Sequence, residues 1–129
     1  MLYTHSLATP RRARDGLRIL ASRFRGRGPA NRYDIWMANL GPSESLLRGF
    51  QAGDVSWREF ASRYRRELFE PAAVDVANRT IRNHGQKFTL RLLRHLAAVG
   101  DVTLLCHCAE DEPHCHRHLL REIIQSPRT

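Results

Sequence analysis

Three cysteines and four histidines crowd into thirteen residues of this sequence, Cys106-His107-Cys108-Ala109-Glu110-Asp111-Glu112-Pro113-His114-Cys115-His116-Arg117-His118, and no cysteine lies elsewhere. Thiolate and imidazole are the ligands that four-coordinate zinc and other soft transition metals favour. Cys106, Cys108, Cys115 and His116 make up such a set. Their C-x-C then C-H spacing lacks the paired C-x-x-C knuckles of common zinc modules. The same residues permit a second chemistry, in which Cys108 or Cys115 is a nucleophile and His116 its base. In a third reading Cys106 fills the core and the histidines bind water or helix ends, since free cysteine is among the most buried residue types. His107 and His118 fall outside the site, and His84 and His95, on other helices, are incidental.

The segment spans the end of a predicted strand and the start of the last helix. Side chains alternate along a strand, so Cys106 and Cys108 share one side and His107 points away. Cys115 and His116 stand at a helix N-terminus, where the positive end of the helix lowers a thiol below its ordinary value of about 8.5. Arg117 adds to that field, and such a helix end also cradles anions. Arg23 and Arg27 flank a glycine-containing loop after another strand, which suits an anion site completed by Arg117; a solvated basic loop is the alternative. Glu110, Asp111 and Glu112 can serve as acid or base, or cap the following helix. Trp36, Trp57 and Tyr64 read as core or interface aromatics rather than base-stacking platforms.

The elements that must position these groups follow from pattern. Met1–Thr4 reads as a strand with His5 and Ser6 at its C-terminal end, and Leu17–Ala21 as a buried second strand. Residues 10–16 form a basic loop, and the glycines and proline of Ser22–Pro29 forbid regular structure. Pro42-Ser43 opens a helix with Ser43 as cap and Gly49 as stop. Ser56-Trp57-Arg58-Glu59 is a capping box, behind which Trp57, Phe60, Ala61, Tyr64 and Leu68 recur at helical spacing. Residues 72–83 are predicted helical with Val74, Ala77 and Ile81 inward. Gln86–Val99 is predicted as another helix, burying Phe88, Leu92, Leu93, Leu96 and Val99. Val102–Cys106 is the apolar run of an inner parallel strand. The final helix covers about His114–Gln125, with Leu119, Leu120, Ile123 and Ile124 inside. The order predicts one α/β domain over residues 1–129, with a small, mainly parallel sheet flanked by helices. Sites in such sheets lie beyond the carboxyl ends of the strands.

Composition sets the class. The 129 residues are 42% hydrophobic and 26% charged, ordinary globular values that exclude wholesale disorder. No apolar run nears the about 20 residues of a membrane span, and an odd, clustered cysteine count does not suit a secreted disulfide scaffold. The expected location is therefore the cytoplasm, with no membrane partner. Lysine and arginine total 21 against 13 acidic residues, for a net charge of +8, and Lys87 is the only lysine. Eight arginines and one aspartate lie within residues 10–32. This excess favours a phosphate-bearing partner, or records an arginine-rich genome. The leading expectation is an enzyme or binding protein for a small anionic, phosphorylated-type ligand. The alternatives are a nucleic-acid-binding protein and a structural metal-bound Cys/His domain with zinc or another transition metal.

The sequence resembles the family named domain of unknown function 488, from about Gly16 to Ile124. One branch reads D-R-x-W-P-R-G after its second strand. Ser22-Arg23-Phe24-Arg25-Gly26-Arg27-Gly28 keeps both arginines and the final glycine and departs at Ser22, Arg25 and Gly26. Trp36, Leu40, Pro42, Ser43, Leu46 and Phe50 match the stretch that follows. Trp57, Phe60 and Tyr64 match its W-x-x-F-x-x-x-Y helix, joined by Arg63, Glu67 and Leu68. Cys108-Ala109-Glu110, Pro113 and Cys115-His116-Arg117 match members that carry C-A-E, a proline and C-H-R; Cys106 is an addition. The resemblance implies the fold and the location of the site, not a reaction.

Overall fold

The computed structural model describes residues 1–82 and 84–129. Four strands form one sheet in the order β1-β4-β2-β3, where β1 is Leu2–Ser6, β2 Leu17–Leu20, β3 Ile35–Trp36 and β4 Val102–Cys106. Every pairing is parallel, with Ser6 opposite Cys106, Leu20 opposite Leu105, and Leu20 opposite Trp36. All four strands therefore end on the same side, and that side is where Cys106 lies. β4 is buried along its whole length, as its unbroken apolar run requires of a central strand.

The two faces of the sheet are covered differently. On one, Leu2, Ile19, Val102 and Leu104 meet the apolar stripes of α1 (Glu44–Gln51), α2 (Trp57–Leu68), α3 (Lys87–Val99) and α4 (His116–Gln125) in a single core. On the other, Leu20 and Leu105 form a small cluster with Leu7 and Tyr33 under the loop that joins β1 to β2. Arg18 also belongs to this face and is fully buried. Its guanidinium bonds to Asp15 at 2.9 Å and to the Thr9 carbonyl at 3.0 Å, while Asp15 accepts the Arg12 amide at 3.0 Å. A buried arginine demands such pairing, so the ion pair fastens the connecting loop to the sheet.

The helix starts follow their caps. Ser43 accepts the Leu46 amide, and Ser56 accepts the Glu59 amide at 3.2 Å. The return half of the expected capping box is absent because the Glu59 carboxylate binds Arg63 at 2.7 Å instead. Gly49 does not stop α1, which runs to Gln51; the chain turns at Gly53, whose φ is 82°.

Two further expectations need correction, and one strand was missed. Residues 72–83 are not a helix: a single 3-10 turn at Ala73–Asp75 is all that forms, and Val74 is exposed; Asn83 lies outside the described residues. The Asn78 side chain accepts the Thr80 and Ile81 amides and the Thr80 hydroxyl, a local bonding pattern that competes with helix. In α3 the buried residues are Leu90 and Leu93, whereas Phe88, Leu92, Leu96 and Val99 face outward. This helix carries two apolar stripes, and the sheet takes the narrower one. The short edge strand β3, with both residues exposed, was too brief to show a period. No helix among the described residues is long and apolar enough to cross a membrane.

The α3 register gives a direct test. Leu90→Ala should lower stability by about 2–4 kcal/mol through cavity formation, while Leu92→Ala should change it by less than about 0.5 kcal/mol. Urea unfolding of both variants checks this; the reverse ranking would restore the register expected from pattern.

Candidate functional site

The site assembles where β4 ends and α4 begins. Cys106 is the last residue of β4, and Cys115 occupies the N-cap position of α4 with extended backbone. The Sγ atoms of Cys106, Cys108 and Cys115 all lie within 4.8 Å of one another. Those of Cys106 and Cys115 are 2.7 Å apart, longer than the about 2.05 Å of a disulfide, and all three thiols are free. Cys106 and Cys115 are buried and Cys108 is half-buried.

Arg117 holds the cluster. Its side chain, 1% exposed, turns inward from the first turn of α4. Nη1 donates to Cys106 Sγ at 2.8 Å and reaches Cys115 Sγ at 3.6 Å; Nη2 donates to the carbonyls of Ala109 at 2.9 Å and Glu110 at 3.0 Å. One cation thus gathers two sulfurs and the loop between them. The Cys108 amide donates to Cys106 Sγ at 3.3 Å. The thiols of Cys108 and Cys115, followed by the Arg117 charge, bring Cys106 down to about 3 against the cost of burial. Sharing the site with that thiolate pushes Cys108 and Cys115 up. The negative sulfur therefore falls on Cys106, not on Cys115 at the helix end.

His116 is buried, and its Nε2 lies 2.5 Å from the Ala21 carbonyl. A carbonyl only accepts, so Nε2 carries the proton and Nδ1 presents its lone pair, 3.9 Å from Cys115 Sγ. Burial lowers its pKa, keeping the ring neutral near pH 7. The ring also meets the Tyr64 ring edge-on at 5.6 Å, which places α2 behind the site. Trp57, the neighbouring aromatic of α2, stacks on His114 at 4.8 Å.

The arginine loop after β2 lies beside this cluster. His107 Nε2 donates to the Phe24 carbonyl at 3.0 Å. Gly26 has φ 74°, and a Cβ there would approach the His107 ring to 2.8 Å, so glycine permits this contact twice over. The expected anion-binding arginines do not point together. Arg23 donates to the carbonyls of Gly41 at 2.7 Å and Pro42 at 3.0 Å, and Arg117 faces the sulfurs. Arg27 alone of the three is exposed.

A second constellation was harder to see in the sequence. Glu110 leaves the cysteine loop to cap β1: its carboxylate bonds to His5 Nδ1 at 2.6 Å, the Ser6 amide at 2.5 Å and the Thr9 hydroxyl at 2.7 Å. Burial raises this carboxyl, but these three donors outweigh it and bring it down to about 2. Its signal was the placement of His5 and Ser6 at a strand end. For Arg117 the signal was its i, i+3, i+7 spacing with Leu120 and Ile124, which puts it on the buried side of α4.

Both charged contacts predict pH effects. A depressed thiol stabilises the fold above its unfolded value and loses that contribution as pH falls. Stability should therefore rise between about pH 3 and pH 8.5, and Arg117→Gln should flatten the rise and move thiolate formation upward, as read by ultraviolet thiolate absorbance and urea unfolding. Glu110→Gln should remove about 1 kcal/mol at neutral pH, allowing for solvent screening of this half-exposed carboxylate, and should abolish the loss between about pH 4.5 and 2. An unchanged acid limb in the Glu110 variant would refute its capping role.

Among curated proteins and solved structures no significant match is found. The sequence pattern described as the active DUF488-N3 subclade matches residues 2–128, nearly the whole length. With Cys108-Ala109-Glu110 and Cys115-His116-Arg117 at the centre of the strand-end site, the chain belongs to the DUF488 family.

Proposed function

We propose that this chain binds a soft divalent transition metal, zinc being the best chemical match, through Cys106, Cys108, Cys115 and His116, and handles a small anionic ligand beside it in the cytoplasm. The observation that carries the reading is the convergence of three Sγ atoms within 4.8 Å. Two thiolates on one zinc, at about 2.3 Å each, stand about 3.8 Å apart in a tetrahedral site. The cysteine cluster brackets that spacing, and the closest pair, Cys106 and Cys115, would open by about 1 Å. His116 supports the set because its Nε2 is fixed by a backbone carbonyl, the outer-shell bond that orients a ligating imidazole. Charge also fits. Three thiolates and one divalent ion leave one negative charge, which the buried Arg117 offsets.

When bound, the ion would supply Lewis-acid polarisation to an anionic ligand. Of the three candidate anion-binding arginines, Arg27 has the exposure such a ligand needs, while Arg23 and Arg117 shape the loops around it. The description of the matching subclade as active supports a chemical role for this chain. Clustered free thiols suit a reducing compartment. A second reading, thiol catalysis without metal at Cys108 or Cys115 with His116 as base, is favoured by the His116 Nδ1 lone pair 3.9 Å from Cys115 Sγ.

Metal analysis of protein purified without an affinity tag separates the two. The metal reading expects about one equivalent of transition metal, thiols protected from alkylation, and a lower Tm with exposed thiols after chelation. Cys108→Ser should weaken metal retention about tenfold or more. Well under half an equivalent, with one thiol alkylating fast below the ordinary thiol range and no response to chelator, would replace the metal reading with the thiol enzyme.

A further inference from the structure

The loop after β2 and the edge strand β3 carry a surface that extends beyond the cysteine cluster and shares only Arg27 with the anion site proposed there. Phe24 is 48% exposed and Trp36 is 42% exposed, unusual for large aromatics on an arginine-rich surface. Both are fixed in place. The Phe24 carbonyl accepts His107 Nε2 and Ser22 Oγ, each at 3.0 Å, and Trp36 Nε1 donates to the Ser22 carbonyl at 2.8 Å. Ser22 thus touches both residues, through the Phe24 backbone carbonyl and the Trp36 indole, and both rings are exposed beside it. Around them, Arg25 sits over the Tyr33 ring at 5.9 Å, and Arg27 is exposed with no hydrogen-bond partner among the described residues. Of the eight arginines in residues 10–36, Arg11 and Arg18 pair with Asp34 and Asp15. The guanidinium groups of the other six form no salt bridge among the described residues.

Exposed rings interleaved with unneutralised arginine match one chemistry best. Unstacked bases offer π faces to aromatic side chains, and the phosphates between them offer charge to guanidinium groups. A duplex hides those faces, and the described chain between β2 and α1 offers little to read it: a two-residue edge strand and short 3-10 turns. A purely apolar protein partner would leave the arginines desolvated and unpaired. We propose that this surface binds single-stranded nucleic acid, with bases stacked on Phe24 and Trp36 and the backbone running past Arg25 and Arg27. The strand then passes the rim of the cysteine cluster, because Phe24 and His107 are joined by a hydrogen bond.

Fluorescence anisotropy with a mixed-sequence single-stranded oligonucleotide, of DNA or of RNA, tests this. Affinity should fall linearly in log–log form with salt, and the Arg25→Ala, Arg27→Ala double variant should reduce the slope by about 1.4, near 0.7 per lost phosphate contact. Phe24→Ala and Trp36→Ala should each weaken binding about fivefold or more, as loss of one stacked base predicts. Trp36→Phe keeps a ring while losing the bond to Ser22, so it should retain most of the affinity; circular dichroism and Tm identify any variant that fails to fold. The proposal is overturned by absence of binding at low salt. It is equally overturned if the aromatic variants bind like the parent, or if a duplex or an acidic polypeptide binds as tightly as the single strand. None of these outcomes depends on metal content, so the metal reading stands or falls separately.

Discussion

The guanidinium of Arg117 is the contact on which the strand-end site depends. A cation buried to 1% exposure is stable only where anions and acceptors surround it. Here the acceptors are the Cys106 thiolate and the carbonyls of Cys108, Ala109 and Glu110. The dependence runs both ways. Without Arg117 the thiolate at the end of β4 would be an unpaired charge in the core; without the sulfur, the loop would close around an uncompensated cation. Sheet end, loop and helix start are therefore one electrostatic unit, and the three thiols stay close because that unit is closed.

The opposite side of the sheet repeats the solution with different atoms. There Arg18 is paired with Asp15 and bonded to the Thr9 carbonyl, fastening the β1–β2 connection over the face that the four α-helices of the described residues leave uncovered. Glu110 links the two units, since it leaves the cysteine loop to receive the Ser6 amide and the Thr9 hydroxyl. A small sheet with one helical layer thus gains its second cover from polar contacts as well as from Leu7, Leu20 and Leu105. The cysteine site sits where these two coverings meet, at the ends of β1, β4 and β2.

The strands β1, β2 and β4 and the helices α1, α2 and α4 were legible because each is a dense apolar pattern bounded by a cap, a glycine or a proline. The cysteine segment was legible from residue type alone. What could not be read was direction. Phe88, Leu92 and Leu96 form as regular a stripe as Leu90 and Leu93, and only the position of the sheet decides which one is buried. Arg23 and Arg117 looked like ligand contacts because an isolated arginine carries no sign of the carbonyls it will meet. Residues 72–83 were expected to be helical from the spacing of Val74, Ala77 and Ile81, yet the side chain of Asn78 offered the backbone a closer partner. β3 escaped notice because two residues hold no period.

The strand order has a consequence for how the chain assembles as it leaves the ribosome. β1 and β2 do not pair with each other; both pair with β4, which lies between them. Residues 2–6 therefore have no strand partner until residues 102–106 have been made, and until then only the two-residue β2–β3 contact is available. Such long sequence separation makes closure slow, because the entropy of a large loop is lost before the contacts that offset it exist. The sheet edges of the nascent protein stay open for most of synthesis and are completed by the strand that ends in Cys106. Closing the sheet and bringing the first thiol to its place are consequently one late event, and a nascent chain that stops short of β4 carries no sulfur site.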